Sequence, residues 1–134
     1  MALSVDEQIK LDLEQGPNEI PQTTSSGKII VIATIHVTPG NEARMIELLR
    51  QNQASSLSDK EPNTLTYRVT RVLKSDGTPT SSFLLIEEYN GPVAGFKEHI
   101  AQAPTFAMLK AYKEEGFLAK DIDIEFCDEI PPRL

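Results

Sequence analysis

The sequence predicts an α+β fold in which strands and helices follow one another in the order βαββαβ and the four strands form one antiparallel sheet. Three observations predict it. Residues 28–37 and 121–127 are strand-like, the first dense in β-branched residues and the second alternating. Residues 64–73 and 82–89 form a hairpin pair around a turn-rich connection. Two stretches with apolar residues at helical spacing separate these strands. The 134 residues suffice for one modest core and leave no room for a second domain of similar size.

Each element follows from local chemistry. KIIVIATIHV (28–37) ends at Pro39-Gly40, and Asn41 stands where a helix cap belongs. The helix expected from there to about Ser56 carries Ala43, Met45, Ile46, Leu48, Leu49 and Leu57 on a rough apolar stripe. TLTYRVTRVL (64–73) alternates, with Leu65, Tyr67, Val69 and Leu73 on one face and Thr64, Thr66, Arg68 and Thr70 on the other. Arg71 is the exception on the first face. KSDGTPTS supplies the turn and SFLLIEEY (82–89) the returning strand. Pro92 suits the first turn of a second helix, where no backbone N–H is needed; Pro104 interrupts or restarts it. Phe106, Leu109 and Tyr112 carry its stripe to Gly116, and DIDIEFC (121–127) gives the last strand. The whole is a ferredoxin-like unit.

Residues 1–27 differ in composition and are expected to form an extension outside the domain at 28–134. Ser4 and Glu7 have capping-box spacing, Ile9 and Leu13 lie one turn apart, and Gly16-Pro17 supplies a stop, so 5–15 reads as a short helix. The polar NEIPQTTSSG then reads as a linker. Leu3, Ile9 and Leu13 favour docking of this helix on the domain.

In a ferredoxin-like unit both helices cover one sheet face. Here the first strand is apolar on both: Ile29, Val31, Ala33, Ile35 and Val37 on one, Ile30 and Ile32 with Thr34 and His36 on the other. A face with two isoleucines and no helix to cover it predicts sheet-on-sheet pairing of two chains, a dimeric α+β barrel. His36 falls on that interface.

Bulk properties narrow the function. Thirteen Lys and Arg against twenty Asp and Glu give a net charge of −7, which disfavours nucleic acid and anionic lipid as partners. No apolar run approaches the roughly 18 residues of a membrane span, and no signal peptide is recognisable. One cysteine, Cys127, permits no internal disulfide, and a cytoplasmic setting is expected. With one Cys and two His the chain lacks a zinc pattern, and SDG and NGP are turn punctuation, not phosphate loops, so no metal, nucleotide or flavin is expected. The acidic DIDIEFCDEIPP lacks the glycine and spacing of a calcium loop.

HVTPGNEARMIELL, EPNTLTYRV and IEEYNGPVAGFKEHI, in that order, resemble the antibiotic biosynthesis monooxygenase domain over about residues 28–127. The resemblance implies a dimeric ferredoxin-like barrel. The Glu-Pro-Gly turn usual before its second strand is Glu61-Pro62-Asn63 here, with Asn the next best residue for a left-handed turn position. Its Glu-x-Trp at the end of the third strand is matched by Glu87-Glu88-Tyr89, and its helix histidine by His99; the absence of any Trp is a departure. A haem-degrading branch of the same fold is disfavoured, because its key positions correspond here to Ala33, Tyr89 and about Lys110.

Members include oxygenases of quinol, phenolic or anthrone-type compounds that use neither metal nor flavin. What the resemblance implies for this chain is an aromatic small-molecule substrate, dioxygen and no cofactor, in a dry pocket between the sheet and the second helix. His99 would be base or anion partner, Tyr89 would position the ring, and Tyr67, Phe96 and Phe106 would line the pocket. Each has a plainer account: His99 filling a polar gap, the tyrosines as core aromatics. Glu87 and Glu88 point to opposite sheet faces, and whichever is buried is expected to pair with Arg68 or Arg71. Cys127 reads as a small buried residue. Two alternatives stay open: a decarboxylase, isomerase or cyclase using the same base, and a dimer that binds a small hydrophobic molecule without chemistry.

Overall fold

The structure, a computed structural model, describes residues 2–15 and 20–132; the expected Gly16-Pro17 stop lies outside them. Helix α1 (Val5–Gln15) precedes strand β1 (Lys28–His36) and helix α2 (Glu42–Ser56). The hairpin β2 (Thr64–Leu73) and β3 (Pro79–Asn90) follows. A π-helical turn (Gly91–Gly95) then leads into α3 (Phe96–Ile100), α4 (Ala103–Glu115) and β4 (Asp123–Cys127). The sheet order is β2-β3-β1-β4 with every neighbouring pair antiparallel, the ferredoxin-like arrangement.

The register explains the two faces. Val31 pairs with Glu87 and Phe126, and Tyr67 pairs with Glu87, so the inner face carries Val31, Ala33, Ile35, Tyr67, Phe83, Leu85, Glu87 and Tyr89. On it pack Met45, Leu48 and Leu49 of α2 and Met108, Ala111 and Tyr112 of α4, all buried. A second cluster gathers Ile29, Val31, Tyr89 and Phe96 at the end of β3. The outer face carries Ile30, Ile32, Leu84 and Ile86 on the two central strands, all half-buried within the chain. His36 lies there, its Nδ1 2.6 Å from Ser82 Oγ, and Lys28 and Glu88 form an ion pair of 2.8 Å.

Helix α1 begins on the reciprocal bonds its sequence predicts: Glu7 N–H donates to Ser4 Oγ at 3.1 Å and Ser4 N–H to Glu7 Oε1 at 3.4 Å. Its Ile9 is fully buried, and Asp6 and Asp12 reach Lys110 and Lys113 of α4 at 3.1 and 3.5 Å.

Several details depart from the sequence reading. Leu57 is 60% exposed, because it is the C-cap residue of α2, one position round from buried Ser56 and so off the buried stripe of Met45, Leu48, Leu49, Asn52 and Ser56. Asn41 makes no side-chain cap bond; its amide donates instead to Thr38 Oγ1 at 2.7 Å. Strand β3 starts at Pro79, since the Lys74–Thr78 turn closes tightly, with Lys74 N–H to Thr78 O at 2.9 Å. Cys127 is exposed, because β4 is an edge strand and its register puts Cys127 beside Ile30 on the outer face. Asn63 has no left-handed backbone. It donates from its backbone and side-chain nitrogens to the Glu98 carboxylate at 3.2 and 3.1 Å, tying the turn before β2 to α3.

Candidate active site

Gly95 permits the approach on which the site depends. A Cβ there would lie 2.3 Å from Asn90 O and 2.8 Å from Tyr89 Cβ, so only glycine lets the π-helical turn close on the end of β3. That closure, with the Asn63–Glu98 tie, presents Phe96 and His99 to the inner face of the sheet.

His99 is buried, at 5% exposure, and its two ring nitrogens have different surroundings. Nδ1 lies 2.7 Å from Glu61 Oε1 and 3.0 Å from Ser56 Oγ. Glu61 is itself only 1% exposed. Burial pushes its carboxyl up, but bonds from His99, Ser55 and Thr64 outweigh this and hold it below the ordinary carboxylate range. Ser55 Oγ donates to Oε2 at 2.7 Å. An ionised carboxylate only accepts, so the proton on this side belongs to Nδ1, and Nε2 is the nitrogen left for other work. Nε2 faces Glu87 Oε1 at 3.9 Å, too far for a hydrogen bond.

Glu87 is the second carboxyl of the site. Burial pushes it up; His99 and a short bond from the Tyr89 hydroxyl oppose this without cancelling it. Tyr67 donates to Asn52 Oδ1 at 2.8 Å, and Asn52 Nδ2 donates to Thr105 Oγ1 at 3.2 Å. Desolvation, with Glu87 nearby, pushes the phenols of Tyr67, Tyr89 and Tyr112 up, so all three remain protonated donors.

These groups border a cavity of about 330 Å³ between the sheet, α3 and α4, closed at one side by Asp12 and Leu13 of α1. Val31, Ala33, Ile35 and Leu85 form its floor and Ile100, Met108 and Leu109 much of its roof, so it is predominantly apolar and within the size range of small-molecule sites. His99 lines this cavity with one nitrogen held by a buried carboxylate and the other without a hydrogen bond, which is chemically compatible with a general base.

Of the residues singled out from sequence, His99, Tyr67 and Phe96 line this cavity. Tyr89 does not: covered by Phe96, whose ring centroid is 5.8 Å away, it is fully buried and its hydroxyl donates to the Glu87 carboxyl. Phe106 is half-buried and off the cavity wall, because Thr105, Met108, Leu109 and Tyr112 form the inward face of α4 and 106 falls beside it. Glu87 makes no arginine pair. Arg68 is exposed on the other face, and Arg71 donates to Thr80 O at 2.8 Å and lies over the Phe83 ring. Glu61, Ser56, Asn52 and Tyr112 were not legible as site residues. Glu61 sat in a motif read only as a turn, Tyr112 fell on an apolar helical stripe, and Asn52 and Ser56 were polar positions of a helix with no motif to mark them.

The fold and site are those of a small α+β ferredoxin-like domain with a buried histidine–carboxylate pair. The sequence matches the profile of the antibiotic biosynthesis monooxygenase family over residues 28–104. The chain belongs to this family. Among curated proteins no significant match is found. Among solved structures, PA3566 from Pseudomonas aeruginosa is similar with a TM-score of 0.66 at 21% identity, covering 81% of this chain and 99% of its own. A protein of Caulobacter crescentus gives 0.62 at 23% identity, with coverage of 78% and 92%. An antibiotic biosynthesis monooxygenase gives 0.60 at 21% identity, with coverage of 77% and 99%. At these identities the likeness is one of fold. Among the described residues no helix is long and apolar enough to cross a membrane.

Proposed function

We propose that the protein is a monooxygenase acting on a quinol-like or polyphenolic substrate, with His99 as its base and no bound cofactor. The observation that carries this reading is the setting of His99: Nδ1 lies on the Glu61 carboxylate at 2.7 Å, Nε2 is 3.9 Å from Glu87 and makes no hydrogen bond, and the residue lines an apolar cavity. For an anthrone-type substrate, Nε2 takes a proton from the activated methylene and leaves an enolate. The enolate carbon bonds to dioxygen; loss of the second methylene hydrogen as a proton then breaks the oxygen–oxygen bond, giving a carbonyl and water. The methylene gives up four electrons and dioxygen takes four, so the substrate is the only reductant required. Exclusion of water strengthens the interactions that hold the enolate.

The same reading has two chains pair through Ile30, Ile32, Leu84 and Ile86, whose half-burial leaves apolar surface that a second sheet would cover.

The test is dioxygen consumption by metal-stripped protein with a panel of reduced naphthoquinols and anthrones, with His99→Ala beside it. Consumption above the uncatalysed rate, reduced at least about tenfold in the variant, is the expected result. Turnover that persists unchanged in anaerobic buffer would replace the oxygenase with a lyase or isomerase. Tight ligand binding without product would reduce the site to a binding pocket.

A further inference from the structure

Among the described residues the Tyr112 hydroxyl is the one buried side-chain polar atom that is both sealed from solvent and without a hydrogen-bond partner. Glu87 differs from it. It is 4% exposed and lines the cavity from strand β3. Its Oε1 accepts from the Tyr89 hydroxyl and lies 3.9 Å from Nε2 of His99. Its Oε2 accepts no hydrogen bond from the described residues, yet it is not sealed, so its small accessible area opens on the cavity that the residue lines. A buried carboxyl oxygen left open in a mainly apolar wall calls for an explanation. The titratable groups around Glu87 are His99 of α3, Glu61 of the turn before β2, Tyr67 of β2, Tyr89 of β3 and Tyr112 of α4, and Asp12 of α1 lines the same cavity. Only the imidazole among them can carry positive charge. Burial, with the charge of Glu61, pushes the Glu87 carboxyl up against the pull of His99 and Tyr89. In its acid form Oε1 is taken by the Tyr89 donor, so the proton belongs on Oε2.

We propose that Glu87 is the oxyanion donor of the site: its Oε2 donates to the oxygen on which charge collects when Nε2 of His99 takes a proton from the carbon beside a carbonyl. That carbon and the carbonyl oxygen are about 2.4 Å apart in any such molecule. An imidazole and a carboxyl set 3.9 Å apart can therefore serve both atoms at once. The C–H pair becomes a carbon–carbon double bond, the carbonyl π pair moves to oxygen, and the proton goes to Nε2; no oxidant or reductant is needed. A neutral carboxyl in an apolar site stabilises the oxyanion without adding a charge of its own. The proposal rests on the reading of His99 as base, but not on any reaction with dioxygen.

The experiment follows deuterium exchange into the benzylic methylene of 2-tetralone in D2O under nitrogen, by NMR, with the full chain, Glu87→Gln, Glu87→Leu and His99→Ala. Wild type is expected to exceed the buffer rate and to slow as pH rises through the raised Glu87 value, because the acid form is the donor. Glu87→Gln donates through its amide at every pH and still accepts from Tyr89. It is expected to stay within about tenfold of wild type and to lose that decline. Glu87→Leu is expected to lose about a hundredfold, the usual cost of removing an oxyanion donor. Should Glu87→Leu not fold, the pH profile of Glu87→Gln decides alone. A decline that survives in Glu87→Gln, a folded Glu87→Leu as fast as wild type, or a wild type no faster than buffer would each overturn the proposal. Where the decline survives but exchange is lost in His99→Ala, the base reading stands without Glu87. Exchange by a protein that consumes no dioxygen would overturn the oxygenase reading alone.

Discussion

Glu61 and His99 are 38 residues apart in sequence and 2.7 Å apart in space, the carboxylate of one on Nδ1 of the other. The pair decides which imidazole nitrogen can act, since a carboxylate there leaves only Nε2 free. Glu61→Gln keeps the shape and can accept the same bond through its amide oxygen, but it removes the charge that stabilises a protonated ring. The variant is expected to reduce turnover by one to two orders of magnitude, roughly, through kcat and not KM, with Glu61→Asp recovering part of the loss.

The same pair gives a pH signature. Glu61 has a folded-state value below its unfolded one, so its contribution to stability is present above the ordinary carboxylate range and is lost as pH falls through the lowered value. The stability difference between wild type and Glu61→Gln, from urea melts at a series of pH values, is expected to shrink as the solution is acidified.

Glu87 has the opposite sign. Its folded-state value is raised, so its contribution is full below the unfolded value and declines as pH rises through the folded one. Glu87→Gln, which can still accept from Tyr89, is expected to gain stability relative to wild type as pH rises through that raised value, in the same melts. A gain that stayed constant with pH would show that Glu87 does not titrate differently in the fold.

Gly95→Ala is expected to destabilise the protein by about 1–3 kcal/mol, the usual range for forcing extra volume into a packed site. The nearest obstacle is backbone, Asn90 O, so a side-chain rotation cannot relieve it. Because the same contact sets α3 on the sheet, activity at temperatures well below the melt is expected to fall too. Denaturant titration and steady-state rates separate the two effects.

Ile9→Asp tests what α1 contributes. Ile9 is fully buried and Asp12 and Leu13 complete the cavity, so undocking the helix is expected to weaken binding of an apolar probe such as naphthalene several-fold, by exposing the site to water. The rest of the fold is expected to remain, as read by far-UV circular dichroism, because β1 through β4 pair without α1.

Most of the fold was legible because it rests on periodicity. The alternation in TLTYRVTRVL and the stripe from Met45 to Leu49 are local signals, and local chemistry decided those elements. What failed was local in another sense: Leu57, Asn41 and Cys127 sit at element ends or edges, where the exact register of a neighbour decides exposure. The site was legible only in part. His99 lies on the stripe boundary that a functional residue occupies, but its partner Glu61 stands in a turn motif whose side chain has no periodic constraint. Tyr112 was hidden for the converse reason. An inward tyrosine on an apolar stripe is indistinguishable from core until its hydroxyl is seen to lack a partner.

Ser56, Glu61, Glu87 and His99 come from four separate elements or turns, and the contacts of Glu61 and Ser56 with the histidine bridge 38 and 43 residues of chain. Contacts of such separation are entropically late to form, because the intervening loops must close first. The hairpin β2–β3 rests on more local contacts than the one between His99 and its carboxylate. On the reading of His99 as a base, its competence is therefore expected to be a maturation event, reached only once the contacts with Glu61 and Ser56 that orient the ring have formed.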